Sequence, residues 1–254
     1  MLSAIYTLWL RDIVRFYRQR SRIIGALGTP VVFWILLGSG LRSSFRADTN
    51  AQVDYLEYFY PGTLVLIILF TAIFSTISVI EDRQTGFLQG VLVAPIPRIS
   101  IVIGKTLGGT TLACGQAGLF LLLAPFANAS PTWNTLPTLV LVLSVFAFGL
   151  TGLGFVLAWW LDSTQGFHAV MNLLLVPMWL LSGAVFPADG ASKWIQNIMF
   201  VNPMTYGVSA VRSVLAEGAS ETGPSLVTSL LVLTAFGTAM LVAGAISVCT
   251  KKLN

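Results

Sequence analysis

The chain has 254 residues, of which 56% are hydrophobic and only 9% are charged, and its formal net charge is +4. An ordinary soluble domain carries about 25% charged residues, so this composition excludes one. The basic residues flank apolar runs, which favours lipid headgroups as their partner and argues against nucleic acid. The two cysteines, Cys114 and Cys249, show no metal-ligand spacing and are interpreted as small apolar fillers.

The first 22 residues predict an amphipathic helix that lies in the membrane interface. At about 100° per residue, one face collects Leu2, Ile5, Tyr6, Trp9, Ile13 and Phe16. Four arginines gather on the opposite face, where we expect them to contact lipid headgroups: Arg11, Arg15, Arg18 and Arg22. The alternative is a solvated helix end. A cleavable signal is disfavoured because the apolar part precedes the basic cluster.

Six apolar runs follow, each without a charged residue at its centre and each long enough to cross a bilayer as a helix. The predicted spans run from Ile23 to Leu41, Pro61 to Ile80, Thr106 to Ala127, Pro137 to Leu161, Phe167 to Phe186 and Leu226 to Val248. The sequence therefore predicts an all-α membrane protein with six transmembrane helices. We expect residues 1–254 to form one transmembrane domain.

The positions of the lysines and arginines predict the orientation, because cytoplasmic flanks are enriched in these residues. Ten of them fall on the side of the N-terminus: Arg11, Arg15, Arg18, Arg20, Arg22, Arg83, Arg98, Lys105, Lys251 and Lys252. Four fall on the other side: Arg42, Arg46, Lys193 and Arg212. We expect both termini in the cytoplasm of a multi-pass protein of the cell membrane.

Small residues predict where the helices approach one another closely. Gly104 and Gly108 begin the third run, and Gly149, Gly152 and Gly154 lie in the fourth. Lys105 is interpreted as a cytoplasmic anchor at the entrance of its helix, with its charge at the headgroups.

The segment between the second and third spans, residues 81–100, combines charges, apolar anchors and a proline stop. A plain polar loop would not need Phe87, Leu88, Val91 and Leu92. This pattern predicts a short helix presented to a cytoplasmic partner.

The segment before the last span, residues 187–225, is too apolar for an exposed loop. Asn202 followed by Pro203 predicts a helix start, with the amide as the cap and the proline at the first helical position. We expect short re-entrant helices that dip into the outer leaflet and are buried against protein.

No catalytic site is predicted. Proton-coupled transporters hold ionisable groups at membrane depth, and intramembrane enzymes need converging acids, bases or a metal. Neither is found at the centre of a predicted span, and His168, near the cytoplasmic end of the fifth span, is interpreted as an interfacial residue. The energy for any work must therefore come from another subunit.

The two segments resemble those of the membrane subunits, or permeases, of type-2 ATP-binding cassette (ABC) transporters. The resemblance covers nearly the whole chain, from the basic amphipathic start to the L-S-G-x-x-F-P and N-P-x-T-Y-x-x-x-x-x-R patterns near its end. The outer part of the resemblance is carried by Ser182, Gly183, Pro187, Asn202, Pro203, Tyr206 and Arg212.

In that family, the loop between spans two and three carries a coupling helix that docks on the ATPase. The resemblance implies that this contact falls on Glu81, Asp82, Arg83, Gly86, Phe87, Leu88, Pro95 and Arg98, with residues 1–22 as a second contact. It also implies two ATPase subunits, a second copy of the permease, and no catalytic, cofactor-binding or metal site on this chain.

The cargo is left open by the sequence. A pathway of apolar and small polar groups suits an amphiphile, either drug-like or lipid-linked, in contact with membrane lipids. The alternatives are a permease for polysaccharide or glycan export and a membrane scaffold that transports nothing. A lipid-directed enzyme is disfavoured because acid-base clusters are missing.

Overall fold

The computed structural model describes residues 1–40, 55–129, 131–187, 190–215 and 223–250, without the side chains of residues 20–22. Within these ranges the secondary structure is helical and contains no strand. Arg42, Arg46, Lys251 and Lys252, which were counted for the orientation, lie outside these ranges, as do the side chains of Arg20 and Arg22. The expected all-α class is confirmed for the part of the chain that the structure describes.

The chain order begins with α1 (Leu2–Arg18), α2 (Arg20–Gly40), α3 (Tyr55–Ser75), α4 (Ile77–Gln84), α5 (Phe87–Val93) and α6 (Ile99–Leu121). A short 3-10 helix (Ala124–Ala127) follows α6. The chain continues with α7 (Leu136–Trp160), α8 (Thr164–Leu180), α9 (Lys193–Val201), α10 (Pro203–Leu215) and α11 (Leu226–Thr250).

The helices α3 and α4 form the centre of the bundle. Residues Tyr55–Gln84 are mostly buried, with α6 and α7 packed against α3. The helix α1 packs along α6, while α11 packs along α7. The helices α2 and α11 expose most of their apolar surface, as expected of helices whose outer faces contact lipid or another subunit.

Four helical stretches among the described residues are long and apolar enough to cross a membrane: Ile23–Gly40, Tyr55–Gln84, Leu136–Trp160 and Leu226–Thr250. The other two predicted spans correspond to α6 and α8. The helix α6 carries Lys105 among glycines and threonines, and α8 has 17 residues, a rise of about 26 Å against a hydrocarbon core of about 30 Å. The six-span count therefore stays a prediction.

The third predicted span is displaced along the chain. It was expected at Thr106–Ala127, whereas α6 begins at Ile99 and ends at Leu121. Lys105 consequently lies inside the helix and not at its entrance.

The glycines at the predicted positions mediate close helix contacts. A Cβ atom on Gly104 would lie 3.0 Å from the Leu8 Cβ of α1, and one on Gly108 would lie 3.2 Å from the Asp12 Cβ. On α7, a Cβ on Gly152 would lie 2.9 Å from the Met240 Cβ of α11. The expected small-residue packing is confirmed at these contacts.

Candidate functional site

Six charged side chains converge where α1, α4 and α6 meet. This charged cluster consists of Arg11, Asp12, Arg15, Glu81, Asp82 and Lys105. It contains three cations and three carboxylates, so its charges balance. Its two members on α4, Glu81 and Asp82, begin the predicted coupling segment and come shortly before α5 in the chain.

Asp82 is the centre of the charged cluster. Arg11 donates from its two terminal nitrogens to the two carboxylate oxygens, each at 2.7 Å. Arg15 donates at 2.8 Å and Lys105 at 2.6 Å. The Asp82 side chain is fully buried. Four charge-assisted hydrogen bonds saturate its oxygens, which is the condition under which a buried carboxylate is tolerated.

Lys105 connects three helices. Its Nζ donates to Asp12 Oδ1 on α1 at 2.8 Å, to Asp82 Oδ2 on α4 at 2.6 Å and to Ser78 Oγ at 3.3 Å. The residue is buried, so the expectation of a headgroup anchor is wrong. The physical reason is that two carboxylates contributed by other helices compensate the ammonium inside the protein.

The electrostatics on α1 reflect this burial. Burial raises the pKa of Asp12 above its ordinary value, and the neighbouring Lys105 ammonium opposes that shift. The pKa of Arg11 lies above its ordinary value chiefly because its side chain donates to Asp82. The guanidinium therefore stays charged.

The arginines of α1 do not share one environment. Arg11 and Arg15 contact the carboxylates of α4, with Arg15 Nη2 at 2.7 Å from Glu81 Oε2, whereas Arg18 is exposed. The buried face of α1 comprises Leu8, Asp12 and Phe16. The helix is thus docked on the protein by part of its predicted polar face, because acidic partners on α4 are available there.

The predicted short helix of the coupling segment exists as α5. Its start follows Gly86, whose φ of 75° is in the left-handed region that favours glycine. The Arg11 guanidinium carbon lies 3.6 Å from the centroid of the Phe87 ring, and Leu88 is buried. Gln89 and Val93 are exposed, Val93 by 87%. The helix is held from one side and free on the other.

Two arginines that border α5 bind the ends of other helices. Arg83 Nη2 donates to the carbonyls of Ala158 at 3.0 Å and Trp159 at 2.8 Å, in the last turn of α7. Arg98 Nη1 donates to the Val248 carbonyl of α11 at 3.1 Å. The last carbonyls of a helix lack intrahelical partners and carry partial negative charge, so these arginines act as side-chain caps.

The predicted coupling residues therefore differ in accessibility. Asp82 and Leu88 are buried; Glu81, Arg83 and Gly86 are half-buried; Phe87, Pro95 and Arg98 are exposed. The buried members cannot touch a partner chain directly and instead fix the surface that the exposed members present. A contact with an ATPase stays a prediction for the whole set.

Asn202 ties the end of α8 to the start of α10. Its Nδ2 donates to the Met178 carbonyl at 2.6 Å and to the Leu181 carbonyl at 3.0 Å. Its Oδ1 accepts from the Met204 amide at 3.0 Å, and α10 begins at Pro203. The predicted cap and helix start are confirmed.

Gly183 links α3 to α10. Its φ is 81°, and its carbonyl accepts from Tyr58 Oη at 3.1 Å and from Arg212 Nη2 at 3.2 Å. The Arg212 guanidinium carbon lies 4.4 Å from the Tyr58 ring centroid. Arg212 thereby holds the loop after α8 against two helices.

The other members of the outer motif make local contacts. Ser182 Oγ donates to the Trp179 carbonyl at 2.6 Å, and Tyr206 Oη donates to the Phe200 carbonyl at 2.8 Å. Pro187 is half-buried. The Ser182 bond closes the turn after α8, and the Tyr206 bond joins α10 to the last turn of α9.

The two helices of the outer segment differ in burial. The helix α10 is packed in the bundle, with eight buried residues from Met204 to Leu215. The helix α9 exposes Trp194, Phe200 and Val201, and its buried residue is Met199. The expected burial against protein therefore fits α10 and does not fit α9. Insertion of either helix into the bilayer stays a prediction.

The sequence did not predict that Asp12 and Lys105 form a buried ion pair between α1 and α6. The available signal was that Asp12 is the one acidic residue of α1 and falls off both of its faces, and that Lys105 interrupts an otherwise uncharged α6. Each observation indicates a charge that needs a partner from another helix. The identity of that partner depends on tertiary structure.

The chain is similar to known membrane transport proteins. A family model described as ABC-2 type transporter matches residues 3–216. The putative transport permease ycf38 of Cyanophora paradoxa is 28% identical over 213 residues, which cover 83% of this chain and 73% of that protein.

Two further relatives carry more specific names. The probable multidrug ABC transporter permease YbhR of Escherichia coli K12 is 26% identical over 172 residues, which cover 67% of this chain and 47% of that protein. The chain thus aligns with about half the length of that relative. Nodulation protein J of Rhizobium leguminosarum is 26% identical over 208 residues, which cover 80% of this chain and 79% of that protein.

Proposed function

The chain belongs to the ABC-2 type transporter family, and on that premise we propose that it is the membrane subunit of an ATP-driven exporter. Members of this family work with ABC ATPase partners. ATP hydrolysis accordingly takes place on a separate cytoplasmic chain, and this chain carries the translocation pathway.

The observation that carries the proposal is the fixed presentation of α5. One side of this helix is anchored by Leu88 and by the contact of Phe87 with Arg11, while Val93 is 87% exposed. The caps made by Arg83 and Arg98 connect the flanks of α5 to α7 and α11. A force applied to the exposed side of α5 is therefore passed to three parts of the bundle.

The proposed assembly contains two copies of this chain and two ATPase subunits in the plasma membrane. Each copy forms one transmembrane domain over residues 1–254 with six spans, both termini in the cytoplasm and a re-entrant outer segment at residues 187–225. The segment 81–100 and the helix of residues 1–22 contact the ATPase.

The proposed cargo is an amphiphile, drug-like or lipid-linked. The name of one relative refers to multidrug transport, and away from the charged cluster the buried side chains are mostly apolar or small and polar. Such a pathway favours a molecule with an apolar part over a free ion.

The test compares two matched substitutions. The complex with the ATPase is purified with the wild-type chain, with Val93→Asp and with Val201→Asp. These valines are 87% and 79% exposed and lie on α5 and α9, respectively. We expect Val93→Asp to lose most of the ATPase from the complex, because a carboxylate at a docking surface is desolvated without a partner, and Val201→Asp to retain it.

Retention of the ATPase by both variants, or purification of the wild-type chain without any ABC ATPase, would contradict the proposed function. Hydrolysis of ATP by the isolated chain would contradict the assignment of that activity to a partner.

A further inference from the structure

The charged cluster joins helices that are remote in the sequence. Its cations come from α1 and α6, and its carboxylates come from α1 and α4. Between α1 and α4, Arg11 and Arg15 bind Glu81 and Asp82. These bonds also bring Arg11 over Phe87 at the start of α5. The helices α1 and α5 are therefore held together without any contribution from α6.

Lys105 is the member of the cluster that α6 contributes. Its ammonium bonds to Asp12 of α1 at 2.8 Å and to Asp82 of α4 at 2.6 Å. It therefore reaches α1 directly and α5 through α4, the helix that precedes α5 in the chain. Gly104 and Gly108, also on α6, allow α1 to approach closely enough for these bonds. The ammonium is the ionic link between the α1–α5 pair and α6.

Stability does not explain this arrangement. A buried ion pair costs desolvation energy that its Coulomb attraction barely repays, and apolar replacements of similar volume are often as stable. Directional bonds from one ammonium to three oxygens do fix an orientation. The geometry thus favours a role in position over a role in stability.

We propose that Lys105 is a positioning residue that locks the α1–α5 pair to α6. The role rests on the proposed function, since the pair is the part that the ATPase is proposed to move and α6 is part of the pathway bundle. Movement of the docked pair is carried into α6 through Asp12, Lys105 and Asp82.

The test uses a charge-balanced variant. Lys105→Met alone leaves Asp12 as a buried carboxylate without its cation, and we expect that chain to fold poorly. Lys105→Met combined with Asp12→Asn removes one charge of each sign and leaves Arg11, Arg15, Glu81 and Asp82 paired. The double variant therefore removes the lock while it keeps the α1–α5 pair.

The measurement is a pair of spin-label distances in the full chain in lipid nanodiscs, with Cys114 and Cys249 replaced. One label pair, at positions 17 and 119, reports α1 against α6; Tyr17 and Leu119 are exposed by 76% and 54%. The other, at positions 17 and 93, reports α1 against α5. In the double variant we expect the width of the 17–119 distribution to at least double, while the 17–93 distribution keeps its wild-type width.

Two results would overturn the proposal: an unchanged 17–119 distribution in the double variant, or equal broadening of both pairs. In the complex trapped with ATP, Mg²⁺ and vanadate, the wild-type 17–119 distance should stay constant and that of the double variant should shift. A shift of the 17–119 distance in the wild-type chain would also contradict the proposed role of Lys105. If no ATPase joins the complex, the proposed function fails, while the isolated chain still decides the role of Lys105.

Discussion

Asp82 and Arg83 are adjacent in α4 and serve opposite electrostatic tasks. Asp82 accepts four hydrogen bonds from cations of α1 and α6. Arg83 donates to carbonyls of α7 and to Asp162 at 2.7 Å. Adjacent residues on a helix point about 100° apart, so the two side chains reach different neighbours. One turn of α4 thereby connects this helix to three others, α1, α6 and α7.

Arg83→Lys tests this connection. Lysine keeps the charge but cannot donate through a planar fork, so the last turn of α7 loses carbonyl partners. We expect a loss of about 2 kcal/mol in the free energy of unfolding, measured in mixed micelles with increasing denaturing detergent. Hydrogen exchange at residues 158–161 should accelerate.

The matched control is Arg18→Lys, the same substitution at an exposed arginine near the same end of the bundle. Equal stability of the two variants would show that the bonds of the Arg83 guanidinium to α7 contribute nothing to the free energy of unfolding.

At the residue scale, the sequence predicted contacts whose partners lie nearby in the chain. The Asn202 cap could be predicted because its acceptor geometry is local and Pro203 marks the first helical position. The bonds of Lys105 could not be predicted, because its partners Asp12 and Asp82 lie 93 and 23 positions away from it in the chain. Those pairings depend on how the helices pack.

At the scale of elements, the sequence predicted which segments form helices better than it predicted where those helices begin and end. The apolar runs predicted α2, α7 and α11 to within three residues at each end, since composition alone identifies them. The second run, Pro61 to Ile80, missed the start of α3 at Tyr55 by six residues and extended past its end at Ser75 into α4. The helix α6 begins at Ile99, seven residues before the predicted start of the third span at Thr106, because the charge of Lys105 does not mark the edge of the membrane segment. A charge that is neutralised by other helices does not end a helix.

The close contact of α6 with α3 and α7 depends on Gly109. A Cβ atom there would meet Ser75 and would lie 2.5 Å from the Thr151 Cγ2. We expect Gly109→Ala to cost about 1–3 kcal/mol in the free energy of unfolding, because the helices must separate to admit the methyl group. Detergent-induced unfolding provides the measurement.

Gly118→Ala on the same helix is the control, because no atom lies within 4 Å of its added Cβ. Because alanine has a higher helix propensity than glycine, we expect the free energy of unfolding to stay the same or to rise by up to about 1 kcal/mol. The account of α6 packing is wrong if the two substitutions have the same effect.

At the scale of the whole molecule, the two motif regions lie near opposite ends of the continuous stretch Tyr55–Gln84. Tyr58 contacts Gly183 near one end, and Asp82 joins the charged cluster near the other. The charge bias of the sequence predicts that the end with Asp82 faces the cytoplasm. Family membership supports a protein that crosses the membrane, and its orientation in the membrane can be measured directly.

Cys249 provides a native probe of that direction, because it is exposed and lies beside Arg98. In a Cys114→Ala background, a membrane-impermeant maleimide should label Cys249 after permeabilisation of the cells and leave it unlabelled in intact cells. A cysteine at position 201 in a chain without other cysteines should react in intact cells. The reverse pattern would invert the orientation.

The central claim is that the exposed side of α5 is the docking surface for an ABC ATPase. A photo-reactive amino acid placed at position 93 in intact cells tests it most directly, with position 201 as the matched site. The account predicts a covalent adduct between this chain and an ABC ATPase from position 93 and none from position 201. An ATPase adduct from position 201, or from neither position, would contradict it.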